Sequence, residues 1–325
     1  MMLAHVDTAG ERLSIDCELS WVAELLEEAT AGELRRGPAR NASVSVRVEA
    51  DRRPFSTRGW ELLTRGAWCR GGEVVIENAC TAGFDLHLSG TGEIPAFTFR
   101  RRPPAREKAA TWALRSRFHL LARAVLVQYP ALWAAGIRGR VPLHASAVTA
   151  GAATPMVVAH SGIGRSTLLM RQLETGSRTT GDNVAVGDGR TLWGLVEPVR
   201  MHGAHGRRMP HGRRETPLAA RATALVPDSV IVLTRGRTGA PAVAACEPSA
   251  AASALVASVY VAGELRRYWS FAATLSAGTA LSSEHPPIAN VATAFASRLP
   301  CLALDVGAHP RPRLAELLGQ VEVAA

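Results

Sequence analysis

Strict alternation of apolar and polar residues marks Ser43-Val44-Ser45-Val46-Arg47-Val48-Glu49 as a half-buried strand, because successive strand side chains face opposite sides of a sheet. Shorter apolar runs at 74–77, 84–88 and 97–100 read as further strands, punctuated by Gly66, Gly71, Gly72, Gly83, Gly90 and Gly92. Before them, Trp21, Val22, Leu25 and Leu26 recur at helical spacing within 18–31. After Arg101-Arg102-Pro103-Pro104 a long helical pattern runs from 106 to 135. Trp112, Phe118, Leu121, Val125, Leu132 and Trp133 are its apolar positions, and Pro130 is expected to kink or split it near Tyr129. The second half alternates. Strands are expected at 141–148, 154–159, 183–186, 192–195, 229–233 and 301–306, and helices at 165–174, 248–262, 264–275, 288–298 and 312–318, the last opening on Pro312.

The pattern predicts an α/β (α+β) chain. A β-rich N-terminal lobe of unassigned role covers 1–104, a helical connector 105–137, and a nucleotide-binding core with a mixed sheet 138–325. Two domains suit 325 residues, and 47% hydrophobic with 20% charged residues is ordinary for a folded chain. No apolar run reaches the ~18 residues that span a bilayer, so no membrane association is expected. Asp7, Glu11 and Asp16 break any basic-then-apolar leader pattern, and five scattered cysteines without C-x-x-C spacing suit free thiols in a reducing cytoplasm. The net charge of +9 raises nucleic acid as a partner, but aromatic residues are few and no nucleic-acid-binding motif occurs. An acidic peptide or a polyphosphate accounts for the surplus equally well.

The chemistry concentrates at Ala159-His160-Ser161-Gly162-Ile163-Gly164-Arg165-Ser166-Thr167. Between an apolar run and a helical pattern, this resembles the phosphate-binding loop G-x-x-x-x-G-K-[S/T], whose backbone N–H groups and helix N-terminus face an anion. Ser161, Gly162, Ile163, Gly164, Arg165, Ser166 and Thr167 are the expected cofactor-binding residues. Ala159 stands at the first glycine, where a methyl group costs about 1 kcal/mol or more if the loop needs positive φ and almost nothing otherwise. Arg165 stands at the lysine, and Lys108 is the single lysine among 37 basic residues, so no later lysine is available. A guanidinium keeps the charge and holds phosphate oxygens with two donors, which favours binding; its bulk speaks against transfer. Lysine at 165 is expected to leave the fold intact and to restore any lost activity.

Three elements in order, Leu143-His144-Ala145-Ser146-Ala147-Val148, then Ser161 to Leu168, then Gly176-Ser177-Arg178-Thr179-Thr180-Gly181-Asp182-Asn183, carry a resemblance to a known family. They resemble the HPr kinase/phosphorylase family, whose ATP core is related to phosphoenolpyruvate carboxykinase and recurs in kinases of ribosomally made peptide pathways. The resemblance covers about 45 residues well and 138–320 loosely. It implies ATP and Mg²⁺ as cofactors, His144 and Asp182 as catalytic residues, and Ser166 with Asp182 as Mg²⁺ ligands. Asn183 stands where the family has a second acid.

Two further segments are candidates. The stretch from Arg200 to Arg214, with Arg207, Arg208, Arg213 and Arg214, is basic and rich in Gly and His; it is expected to stay exposed and to grip phosphates or an acidic peptide. Glu264-Leu265-Arg266-Arg267-Tyr268-Trp269 is expected on a helix with at most one of its arginines facing a site. The function expected is a kinase-derived, ATP-binding protein with weak or absent phosphoryl transfer, acting on or recognising a peptide in a ribosomal-peptide natural-product pathway. The alternatives are an active kinase of Ser/Thr hydroxyls on a precursor peptide or small protein, and a scaffold that recognises a precursor peptide without nucleotide.

Overall fold

The structure, a computed structural model, describes residues 1–90, 94–160, 162–201, 206–209, 212–218, 220–236, 241–281, 285–307 and 313–322, the side chains of 110–113, 207 and 319–322 excepted. The chain is mixed α/β, with several sheets of mixed strand direction.

The alternation around Val44 builds a nine-stranded sheet. In spatial order it runs Arg35–Arg36, Met2–Thr8, Glu11–Cys17, Val44–Glu49, Ala96–Arg101, Phe84–Ser89, Glu73–Ile76, Ala67–Arg70 and Glu61–Thr64. Val44–Glu49 sits centrally and pairs in parallel on both sides, with Glu11–Cys17 and with Ala96–Arg101. Its inward Val44, Val46 and Val48 meet Leu13, Ile15, Phe97 and Phe99, all buried. Parallel neighbours need a crossover, which the helix Ser20–Ala29 supplies by laying Val22, Leu25 and Leu26 on the sheet.

The long helical pattern folds as Ala105–Ala113 and then a run from Arg115 to Ile137. Pro130 does not break that run. A π turn at Ala124–Gln128, in which the Tyr129 N–H reaches the Ala124 carbonyl, precedes it, and Pro130 falls in the first turn of Tyr129–Ile137, where its missing donor costs little. This run of 23 residues is long and apolar enough to cross a membrane, yet 72% of its most apolar window is buried inside the protein. Phe97 and Trp133 meet edge to face at 5.8 Å, fixing it on the N-terminal sheet.

The strand expected at 141–148 splits. Val141–Leu143 joins a four-stranded sheet with Ala185–Gly187, Leu192–Gly194 and Ala224–Leu225, whereas Ala145–Ala147 joins a five-stranded one. His144 is the bend between them. The five-stranded sheet runs Ala145–Ala147, Pro155–Val158, Ser229–Thr234, Cys301–Asp305, Ala242–Ala245, parallel in its centre and antiparallel at both edges. The Arg200–Arg214 segment also departs from expectation. Among its described residues, strands Val199–Met201, Arg207–Arg208 and Arg214–Thr216 form a small sheet, where a solvated loop was expected. The helix expected from 264 begins at Tyr268, and the last helix at Leu314; Pro312 lies outside the described residues.

One contiguous apolar core runs from Met2 to Cys301 through both halves, with a smaller cluster beneath the helix Arg165–Leu173. At the seam the Ala9 N–H donates to the Gly194 carbonyl at 2.8 Å, and the Val196 N–H donates to Thr8 Oγ1 at 2.8 Å. Arg140 lies 4.2 Å over the Trp193 ring beside Gly10, where a Cβ would come within 2.9 Å of that ring. With φ at +75°, Gly10 is required there on both counts.

Candidate functional site

The strand Pro155–Val158 leads through a glycine turn into the helix Arg165–Leu173, and Gly162 (φ 87°) and Gly164 (φ 115°) take backbone angles that other residues avoid. Ala159 is not among the left-handed residues and is buried in the small apolar cluster, so alanine costs nothing there. Ser161 lies outside the described residues. Ile163 packs against the same cluster. Gly162, Gly164, Ser166 and Thr167 line a cleft of about 280 Å³, joined by His144, Arg165, Asn183 and Arg213. His160, Arg200, Met201 and Arg235 complete its wall.

Arg165 turns inward. It is 7% exposed, and its guanidinium donates to the His144 carbonyl at 2.8 Å, to His144 Nε2 at 2.8 Å and to the Asn183 carbonyl at 3.3 Å. Burial holds its pKa below the usual value, against Asp182, Glu197 and Glu264. An arginine only donates, so His144 Nε2 accepts, and the ring's one proton sits on Nδ1. Nδ1 is buried with no partner among the described residues. Burial first, then Arg165 and His160, push the His144 pKa down to about 3, so the ring is neutral at physiological pH. Such a ring keeps one N–H, on the buried Nδ1, and with Nε2 occupied it has no free nitrogen to act as a base.

Below the cleft the Ser166 hydroxyl donates to Asp182 Oδ2 at 3.0 Å, leaving Asp182 Oδ1 buried and without a partner among the described residues. Burial raises the Asp182 pKa, opposed by Arg165 and Ser166. The Asp182-Asn183 turn is held by Glu197. This buried carboxylate accepts the backbone N–H of Asn183 at 2.7 Å and of Val184 at 3.1 Å, and the Asn183 side-chain amide at 3.3 Å. Desolvation raises the Glu197 pKa.

Arg200 is not the free cation its sequence surroundings suggest, because acids elsewhere in the fold reach it. Its Nη1 donates to Glu264 at 2.9 Å and its Nε to Glu215 at 3.3 Å, and Glu215 also takes Arg123 at 3.2 Å from the core helix. Burial alone would lower the Arg200 pKa, but Glu264, Glu197 and Glu215 hold it above the usual value. Arg208, Arg213 and Arg214 are exposed, and of these Arg213 lines the cleft. From the 264–269 segment Glu264 reaches the site through Arg200, and neither Arg266 nor Arg267 lines the cleft. Glu197 and Arg235 carry no sequence signal; one sits in an irregular stretch before a proline, the other among loop arginines. No cluster of three His, Cys, Asp or Glu side chains suited to a metal occurs among the described residues.

No protein-family model matches the chain, and no curated protein matches it.

Proposed function

We propose that this chain is a kinase-derived protein that binds a nucleotide through its phosphates and transfers them weakly or not at all. The observation that carries the reading is the paired state of Arg165 and His144. The cation at the lysine position of the phosphate loop and the histidine that the HPr kinase/phosphorylase resemblance assigns to catalysis hold one another, and the imidazole keeps no free base nitrogen. Binding is supported independently. A helix N-terminus and two positive-φ glycines face a cleft that Arg200, Arg213 and Arg235 line. Ser166 with the unpartnered oxygen of Asp182 fits Mg²⁺, which takes one or two protein oxygens and completes its shell from phosphates and water. Bound there, the ion would neutralise phosphate charge; this chain's own residues hold and orient the anion. A peptide of a ribosomal natural-product pathway is the partner that the resemblance supports.

Calorimetry with ATP, ADP and pyrophosphate, with and without Mg²⁺, tests the reading. Binding that Asp182→Asn weakens in Mg²⁺ alone, with labelled phosphate staying on ATP, is expected. Silence at millimolar ligand refutes the site, and rapid turnover refutes the catalytic half.

A further inference from the structure

Resting on that reading, we infer that the cleft recognises the polyphosphate and is indifferent to the base attached to it. Between Trp133 and Tyr260 the chain contains one Phe, Tyr or Trp, which is Trp193. Every residue of the glycine loop, the Asp182 turn and the three-stranded sheet falls inside that interval. Trp193 is engaged elsewhere, its ring covered by Arg140 at 4.2 Å. Of the aromatics that bound the interval, Trp133 packs on Phe97 at 5.8 Å, while Tyr260 packs on Trp269 at 5.9 Å and bonds His285 at 2.8 Å; none of Trp133, Trp193 and Tyr260 lines the cleft. Among the described residues a base therefore meets no Phe, Tyr or Trp platform, a contact worth roughly 5- to 150-fold in affinity where one exists, and of the ring side chains only the smaller imidazoles of His144 and His160 line the cleft.

Size and charge agree. About 280 Å³ lies at the lower edge of the range of about 300–1,000 Å³ that encloses a whole drug-sized ligand, room for a polyphosphate with little to spare for a base. The wall offers the cations Arg213 and Arg235 and the helix N-terminus, with Arg200, already held by Glu264 and Glu215, behind them. Asn183, whose amide could read a base edge, is committed to Glu197.

The test is calorimetric titration of the full chain in Mg²⁺ with ATP, GTP, CTP, inorganic tripolyphosphate and adenosine. The nucleotides and tripolyphosphate are expected within about threefold of one another, with adenosine undetected, as phosphate contacts alone dictate. Arg235→Gln, an exposed position, is expected to weaken all four phosphates by one common factor. ATP bound more than tenfold tighter than CTP or tripolyphosphate, or adenosine bound at all, overturns the inference while sparing the phosphate site. Failure of every phosphate to bind removes the site itself.

Discussion

His144 and Arg165 form one unit, and each substitution at them has a signed consequence. Unfolded, His144 titrates near 6.5; folded, near 3. Above 6.5 neither state holds the extra proton. Below it the unfolded chain takes the proton up and the folded one does not, so stability falls with pH, by about 2 kcal/mol between pH 8 and pH 5. Asp182 acts in the opposite sense: its pKa is raised, so it costs stability as pH rises through and above the carboxylate range. Urea unfolding of His144→Gln beside the parent isolates the histidine, and the parent is expected to lose about 2 kcal/mol more over that interval. Arg165→Lys, harmless on sequence grounds, replaces a planar fork that reaches three acceptors with a point donor that cannot copy its geometry. We expect it to cost about 1–3 kcal/mol in denaturant and to raise activity little. An unchanged midpoint would show that the ammonium satisfies the same acceptors.

At the scale of elements, the Asp182-Asn183 turn gives position 183 a physical reason to carry an amide. Asn183 donates its amide to Glu197 at 3.3 Å, so Asn183→Asp sets one carboxylate against another in a buried place. A loss of about 2–3 kcal/mol at pH 7, smaller at pH 5 where the pair can share a proton, is expected from thermal unfolding at the two pH values. Pairing it with Arg165→Lys therefore rebuilds the motif without rebuilding the site. Glu197 could not be found from sequence, because its partners are backbone donors set by the fold. Legibility follows the same logic elsewhere. Val44–Glu49 and Ile288–Arg298 were readable because half-buried strands and helices print their period in the residues. The hairpin Met2–Cys17 alternates too, but Ala4, His5 and Thr8 dilute the contrast. The stretch from Val141 to Val148, buried at every position, hides a change of sheet at His144, since a run buried on all sides carries no periodicity. In the glycine loop, residue types announced the turn but not the direction in which Arg165 points.

Across the whole molecule the +9 charge divides into arginines that the fold consumes and arginines it leaves outside. Arg123 is 3% exposed and shares Glu215 with Arg200, tying the core helix to the small sheet. Either one replaced by Ala leaves the half-buried Glu215 with one arginine instead of two and is expected to cost about 1–3 kcal/mol. Arg207, Arg208, Arg213 and Arg214 changed together to Gln are expected to cost under about 1 kcal/mol while weakening phosphate binding, most at low salt. Differential scanning calorimetry and titration on the same samples separate the two classes. Because one core runs through both halves, a single unfolding transition is expected by every probe. The stacking of Arg140 on Trp193 gives that expectation an optical form. A cleft with no tryptophan or tyrosine among its described wall residues is silent in emission, so ligand arriving there should leave intrinsic fluorescence untouched. A variant keeping Trp193 as its sole tryptophan would instead glow with the state of the seam, shifting to the red when the halves part.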